Sequence, residues 1–97
     1  MKCFLGICIL LASNFANAYQ AKCATENGRK FKISVENKVL TVDKKYQHPY
    51  QGRTSNKWYE YANSKYTYKI GKFNGNIFPI EVINNRGRSS VGQCSFD

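Results

Sequence analysis

The groups in this chain that could break or transfer bonds are few, and their spacing suits none of the common catalytic constellations. His48 is the only histidine. It stands beside Pro49 in a polar stretch, where a solvated loop residue is expected, and with no free thiol expected there is no pair for Cys/His nucleophilic catalysis. Glu26, Glu36, Asp43, Glu60, Glu81 and Asp97 are isolated from one another in sequence, so a glycosidase pair would have to converge from distant strands. No cluster of His, Cys, Asp or Glu has metal-ligand spacing. Catalytic residues, a metal and a cofactor are therefore not expected, and the chain reads as a binding protein, not an enzyme.

Charge is the stronger chemical signal. Fifteen Lys and Arg face six Asp and Glu over 97 residues, a formal charge of +9. Such an excess favours anionic partners and speeds their encounter, with an effect that fades as salt rises. Lipopolysaccharide, nucleic acid, an acidic glycan and an acidic protein surface all meet that description. Between Lys57 and Phe73 the rings of Trp58, Tyr59, Tyr61, Tyr66, Tyr68 and Phe73 alternate with Lys57, Lys65, Lys69 and Lys72. Rings beside cations on a sheet suit a sugar chain or single-stranded nucleic acid. The same tyrosines would equally roof a small core with their hydroxyls at its edge. The alternation puts Trp58 on the opposite face, near Lys69, where tryptophan makes a strong interaction anchor. The candidate binding residues are Trp58, Lys57, Lys69, Arg53, Arg86 and Arg88.

The first eighteen residues have the layout of a cleaved export leader. Lys2 precedes an apolar run from Cys3 to Ala12, and Ala16-Asn17-Ala18 offers a small-x-small cleavage site. The run is too short to span a bilayer, so no transmembrane anchor is expected. The expected organisation is a leader over residues 1–18 and a single small β domain over 19–97, secreted, or periplasmic in a Gram-negative source, and monomeric. Cleavage removes Cys3 and Cys8 and leaves Cys23 and Cys94. Two cysteines in an oxidising compartment most simply form a disulfide, and two thiols without nearby histidines make a poor metal site. Lys22 before Cys23 is unsuited to lipid modification.

The elements that must position these residues read as β throughout. Phe31, Ile33 and Val35 alternate with polar residues, and after a turn at Asn37-Lys38 the apolar face resumes at Leu40 and Val42. A two-residue turn there sets Val35 against Leu40 and Ile33 against Val42. A turn at Asn63-Ser64 sets Tyr61 against Tyr66 and Tyr59 against Tyr68. A turn at Asn74-Gly75-Asn76 sets Ile70 against Ile80 and Tyr68 against Val82. Lys44 to Asn56, with His48-Pro49, Gly52 and few aliphatics, reads as a long loop or broken strand. About seven short strands result, in an all-β antiparallel meander closed as a barrel or a compact sandwich, with one disulfide joining the terminal strands.

Cys23, the hairpin from Phe31 to Val42 and Cys94, set behind a leader, resemble the bacterial cell-envelope inhibitors of C-type lysozyme. The resemblance covers most of the mature chain and is one of layout. It implies a small all-β fold and an inhibitor of a lysozyme. The function expected first is a secreted binding protein that acts on an envelope or extracellular protein as an inhibitor or exclusion factor, and the alternative is a basic module that binds an anionic polymer. The serine-glycine loop and the Trp-x-Lys-Gly segment of those inhibitors are absent, so no inhibitory residue carries over.

Overall fold

The computed structural model describes residues 18–97. The expected leader lies, apart from Ala18, outside the described residues. Eight strands follow in chain order: β1 Tyr19–Thr25, β2 Lys30–Glu36, β3 Val39–Val42, β4 Tyr46–Arg53, β5 Tyr59–Ala62, β6 Tyr66–Ile70, β7 Ile77–Asn84 and β8 Ser89–Phe96. Each pairs antiparallel with the next, and β8 returns to pair with β1, so the sheet closes as a barrel. Among the described residues, closure leaves no sheet edge open for pairing with another chain. No helix occurs among the described residues.

Period-two alternation explains which side chains fill the barrel. Ala21, Cys23, Phe31, Ile33, Val35, Leu40, Val42, Ile70, Phe78, Ile80 and Val82 all point inward and are buried. Ile33 faces Val42 and Val35 faces Leu40, as the alternation requires. Asn37 and Lys38 make the connecting turn with φ of 54° and 63°, the left-handed pair that a two-residue hairpin needs. Ile70 faces Ile80 and Tyr68 faces Val82, also as expected.

The tyrosine hairpin differs from expectation by two residues. Tyr61 pairs with Tyr68 and Tyr59 with Ile70, because the turn tip is Ser64-Lys65 and not Asn63-Ser64. The side chain of Asn63 is the cause. Its Oδ1 accepts the N–H groups of Lys65 at 2.8 Å and Tyr66 at 3.0 Å, an Asx turn that holds Asn63 opposite Tyr66 just past the end of β5. A shift of two keeps every residue on its face. Tyr61 and Tyr68 are thus core residues, Tyr66 is half-buried, and Tyr59 is 40% exposed at a barrel end.

A second correction concerns Lys44 to Asn56, which is a strand over most of its length. His48 is not a solvated loop residue but fully buried. It faces Leu40 across the β3–β4 ladder, packs edge-on against Tyr68 with centroids 4.6 Å apart, and hydrogen-bonds the Leu40 carbonyl through Nδ1 at 3.2 Å. Its Nε2 has no partner among the described residues. Pro49 is tolerated because the β4–β5 ladder begins one residue later, at Tyr50 opposite Tyr61, so its missing N–H withdraws no ladder bond. A register shift between Tyr50 and Gly52 bends the strand into β5.

The barrel is sealed where β8 meets β1. Cys23 and Cys94 are direct register partners and form a disulfide. Two residues along, Gly92 lies against β1 so closely that a Cβ there would meet the Ala24 carbonyl oxygen at 2.1 Å, so no larger residue fits the seam.

Candidate anion-binding end

Strand alternation sends successive turns to opposite ends of the barrel. Turns 26–29, 43–45, 63–65 and 85–88 gather at one end; turns 37–38, 54–58 and 71–76 gather at the other, with Tyr19 and Phe96. The first end is basic. Arg29, Lys30, Lys44, Lys45, Lys65, Arg86 and Arg88 lie at or beside its turns, against Glu26 and Asp43 alone.

Asparagines shape this end. In the β7–β8 turn Asn84 Oδ1 accepts the N–H groups of Arg86 at 2.9 Å and Arg88 at 3.0 Å, and in the β1–β2 turn Asn27 Oδ1 accepts that of Arg29 at 3.3 Å. Both turns are therefore held in shape from within, and the arginines stand on ordered backbone. Arg29 then folds over the barrel mouth, its guanidinium 5.3 Å from the Tyr66 ring centroid and 5.9 Å from that of Phe31. A cation held against ring faces keeps its N–H groups free for an anion. Beneath it, burial pushes the Tyr68 hydroxyl above the usual phenol range; the Arg29 charge offsets part of this, while Tyr66 and Asp43 add to it.

The mouth of this end is a recess of about 560 Å3 lined by Thr25, Glu26, Asn27, Arg29, Tyr66, Val82, Asn84, Arg88, Ser89 and Ser90. A shallower groove of about 710 Å3 crosses the outside of β1, β2 and β8, with Lys22, Lys30 and Lys32 around Ala24 and Gln93 and the one carboxylate of Asp43 among its lining. Lys22 and Lys32 are direct register partners. Like charges so placed weaken a sheet, and a bound anion would relieve that repulsion.

The opposite end is aromatic. The Tyr19 ring stands edge-on to Phe73 at 5.3 Å, Phe78 at 6.0 Å and Phe96 at 5.6 Å. Burial, the nearby tyrosines and its hydrogen bond to Tyr61 together raise the Tyr19 hydroxyl far above the phenol range. Tyr59 and Phe73 remain 40% and 43% exposed. Arg53 lies 4.9 Å from the Tyr59 ring centroid and donates from Nη2 to the Lys57 carbonyl at 2.9 Å.

The six residues singled out from sequence thus fall in three places. Arg86 and Arg88 are at the basic end, Arg88 in the mouth. Arg53, Lys57 and Trp58 are at the aromatic end. Trp58 is half-buried, its ring laid over Gly71 beside Pro79. Lys69 sits mid-barrel on the outer face, with Glu60 as register partner on one side and Glu81 on the other, so its charge is locally balanced. Sequence reasoning missed Arg29, Lys44 and the Lys22–Lys30–Lys32 groove. The cysteine pair carried the missing signal: continuing the ladder from Cys23 and Cys94 towards this end brings the Arg29 turn beside Arg88, and the Glu26 N–H to Val91 carbonyl bond of 2.9 Å lies on that path.

Glu60 and Glu81 line neither the mouth nor the groove, and among the described residues no three His, Cys, Asp or Glu side chains converge as metal ligands. Compared with protein-family models, with curated proteins and with solved structures, the chain matches none.

Proposed function

We propose that this is an exported, non-catalytic binding protein that engages an anionic polymer of the envelope or extracellular space, such as lipopolysaccharide, an acidic glycan or nucleic acid, through its basic end. The observation that carries this reading is the gathering of seven cations against two carboxylates around one end of the barrel. The filled interior supports it, since Leu40, His48, Ile70 and Ile80 are each 0% exposed and binding falls to the outside and the mouth. Export is supported by the leader-like sequence and by the disulfide, a bond that persists in oxidising compartments. No helix among the described residues is long and apolar enough to cross a membrane. Retention on immobilised lipopolysaccharide or heparin at low salt and release at high salt is the expected behaviour, and a mature amino terminus at Tyr19 is the expected result of sequencing the exported protein. Failure to bind any polyanion at low salt rejects the polymer reading.

A second reading is capture of an envelope protein, as an exclusion factor or an inhibitor of an enzyme such as a lysozyme. It rests on the aromatic end, where exposed Tyr59 and Phe73 accompany Trp58 and Arg53, a composition common at protein interface cores. It predicts stoichiometric inhibition of a C-type lysozyme that survives high salt and is lost in Trp58→Ala.

A further inference from the structure

The barrel mouth at the basic end differs from the cationic turns around it, because its lining mixes donors, acceptors and a ring. Arg29 and Arg88 supply guanidinium groups; Glu26 supplies an acceptor; Thr25, Asn84 and Ser90 supply hydroxyl and amide groups; and Tyr66 supplies an aromatic ring with the Arg29 guanidinium against it. A surface built only to attract phosphate or sulfate by charge has no use for Glu26, which repels anions. A sugar carries both hydroxyl donors and hydroxyl acceptors, with an apolar C–H face for the ring, and an acidic substituent on it would answer the arginine pair. The recess is also closed from below. Tyr66 leads to buried Tyr68 at 6.2 Å and Tyr68 to Phe31 at 5.9 Å between centroids, so whatever enters the mouth cannot pass through the barrel. Its volume of about 560 Å3 is in the range that holds a small molecule.

We infer that the mouth binds a single sugar unit bearing a phosphate or carboxylate, taken end-on as the terminal residue of the polymer that the surrounding cations attract. This rests on the polymer reading above and adds to it a site, an orientation and a ligand class. The acidic group pairs with Arg29 and Arg88, the sugar ring packs beside Tyr66 where the Arg29 guanidinium does not cover it, and the sugar hydroxyls exchange hydrogen bonds with Glu26, Asn84 and Ser90.

The test titrates the protein with glucose 1-phosphate, glucuronate, glucose and inorganic phosphate, reading backbone amide shifts by NMR, with heparin as a separate polymer probe. The expected result is saturable shifts at Thr25, Tyr66, Val82 and Ser90 with glucose 1-phosphate or glucuronate, at least about tenfold weaker binding of glucose and of inorganic phosphate, and about a tenfold loss in Arg88→Ala. Whichever of the two acidic sugars binds more tightly identifies the acidic group. Arg29→Lys keeps the charge but not the flat guanidinium, and a similar loss is expected from it, with the wild-type amide spectrum elsewhere showing that the barrel is intact. Inorganic phosphate binding as well as the sugars, shifts confined to Lys44, Lys45 and Lys65, or no saturable shift at all would overturn the inference. Salt-sensitive heparin binding without mouth shifts removes the terminal-sugar site and leaves the polymer reading standing; absence of both removes the two together.

Discussion

Arg29 and Tyr66 come from different hairpins, yet the guanidinium lies 5.3 Å from the ring centroid, closing one side of the barrel mouth. The contact joins the β1–β2 turn to the start of β6 across the opening. It gives the arginine a defined position before any ligand arrives, which reduces the ordering cost of binding. Among the described residues the cations at the turn tips have no such ring partner and act by field.

Lys44 is expected to show opposite effects on stability and binding. It occupies the second position of the β3–β4 turn with φ of 61°, a left-handed conformation that costs a side-chain-bearing residue about 1 kcal/mol or more and that glycine adopts freely. Lys44→Gly should raise the thermal midpoint while weakening polyanion binding at low salt. A variant that is both more stable and binds as tightly as wild type would show that this lysine has no part in binding.

His48 predicts an acid-sensitive fold. Its buried ring is held neutral, because desolvation lowers its pKa below the ordinary 6.5; the Leu40 carbonyl bonded at Nδ1 and the nearby Tyr46 backbone act in the other direction and are outweighed. The unfolded chain then binds a proton more readily than the folded one. Stability contributed by the neutral ring is complete above pH 6.5 and declines as the pH falls below it. Thermal midpoints measured between pH 8 and 4.5 should be level at first and then drop, with the onset near 6.5 weakened or absent in His48→Phe. That variant also removes the unpartnered Nε2, so it should not be strongly destabilised at pH 7.5.

The disulfide joins residues 71 positions apart, so it closes a loop of nearly the whole domain. Chain-entropy reasoning assigns such a loop about 4 kcal/mol, a large fraction of what a small domain possesses. Cys23→Ser with Cys94→Ser should lose about that amount in urea unfolding. Unchanged stability would mean that the β1–β8 ladder holds without the bond.

Trp58 reports on the aromatic end. A Cβ at Gly71 would lie 2.8 Å from its Cε2 and 2.6 Å from Pro79 Cγ, so Gly71→Ala must displace the indole. A red-shifted fluorescence maximum and a lower unfolding midpoint are expected, with polyanion affinity unaltered because the basic end lies opposite. Reduced polyanion affinity in this variant would place Trp58 in the polymer site after all.

Much of the barrel was legible in the chain because the β2–β3 and β6–β7 hairpins carry strict alternation and short turns, which leave one register. The tyrosine hairpin was less so, since only the Oδ1 bonds of Asn63 decide where its turn begins. β4 was hidden by composition: it has no Val, Ile or Leu, and its inward positions are filled by His48 and Tyr50. Geometry offered a correction. A closed meander with antiparallel neighbours throughout requires an even number of strands, so seven strands joined end to end by Cys23–Cys94 implied one more, and residues 44–56 were the one stretch able to supply it. The same omission obscured the site. Each strand reverses the chain, so a missing strand misassigns the end to which later turns belong: without β4, strand counting puts Arg86 and Arg88 at the end opposite the Arg29 turn, and with β4 in place the two turns share one end.

The most direct measurement is heparin affinity as a function of sodium chloride for the wild-type protein and for a variant carrying Arg29→Gln, Arg86→Gln and Arg88→Gln, with Arg53→Gln as the control at the far end. If the basic end binds polyanions, the logarithm of the wild-type association constant falls steeply with the logarithm of salt, and the triple variant loses affinity together with about one unit of slope per cation removed, while Arg53→Gln leaves both nearly as they were. Equal affinity and slope in the triple variant and the wild type, or binding indifferent to salt, would contradict it.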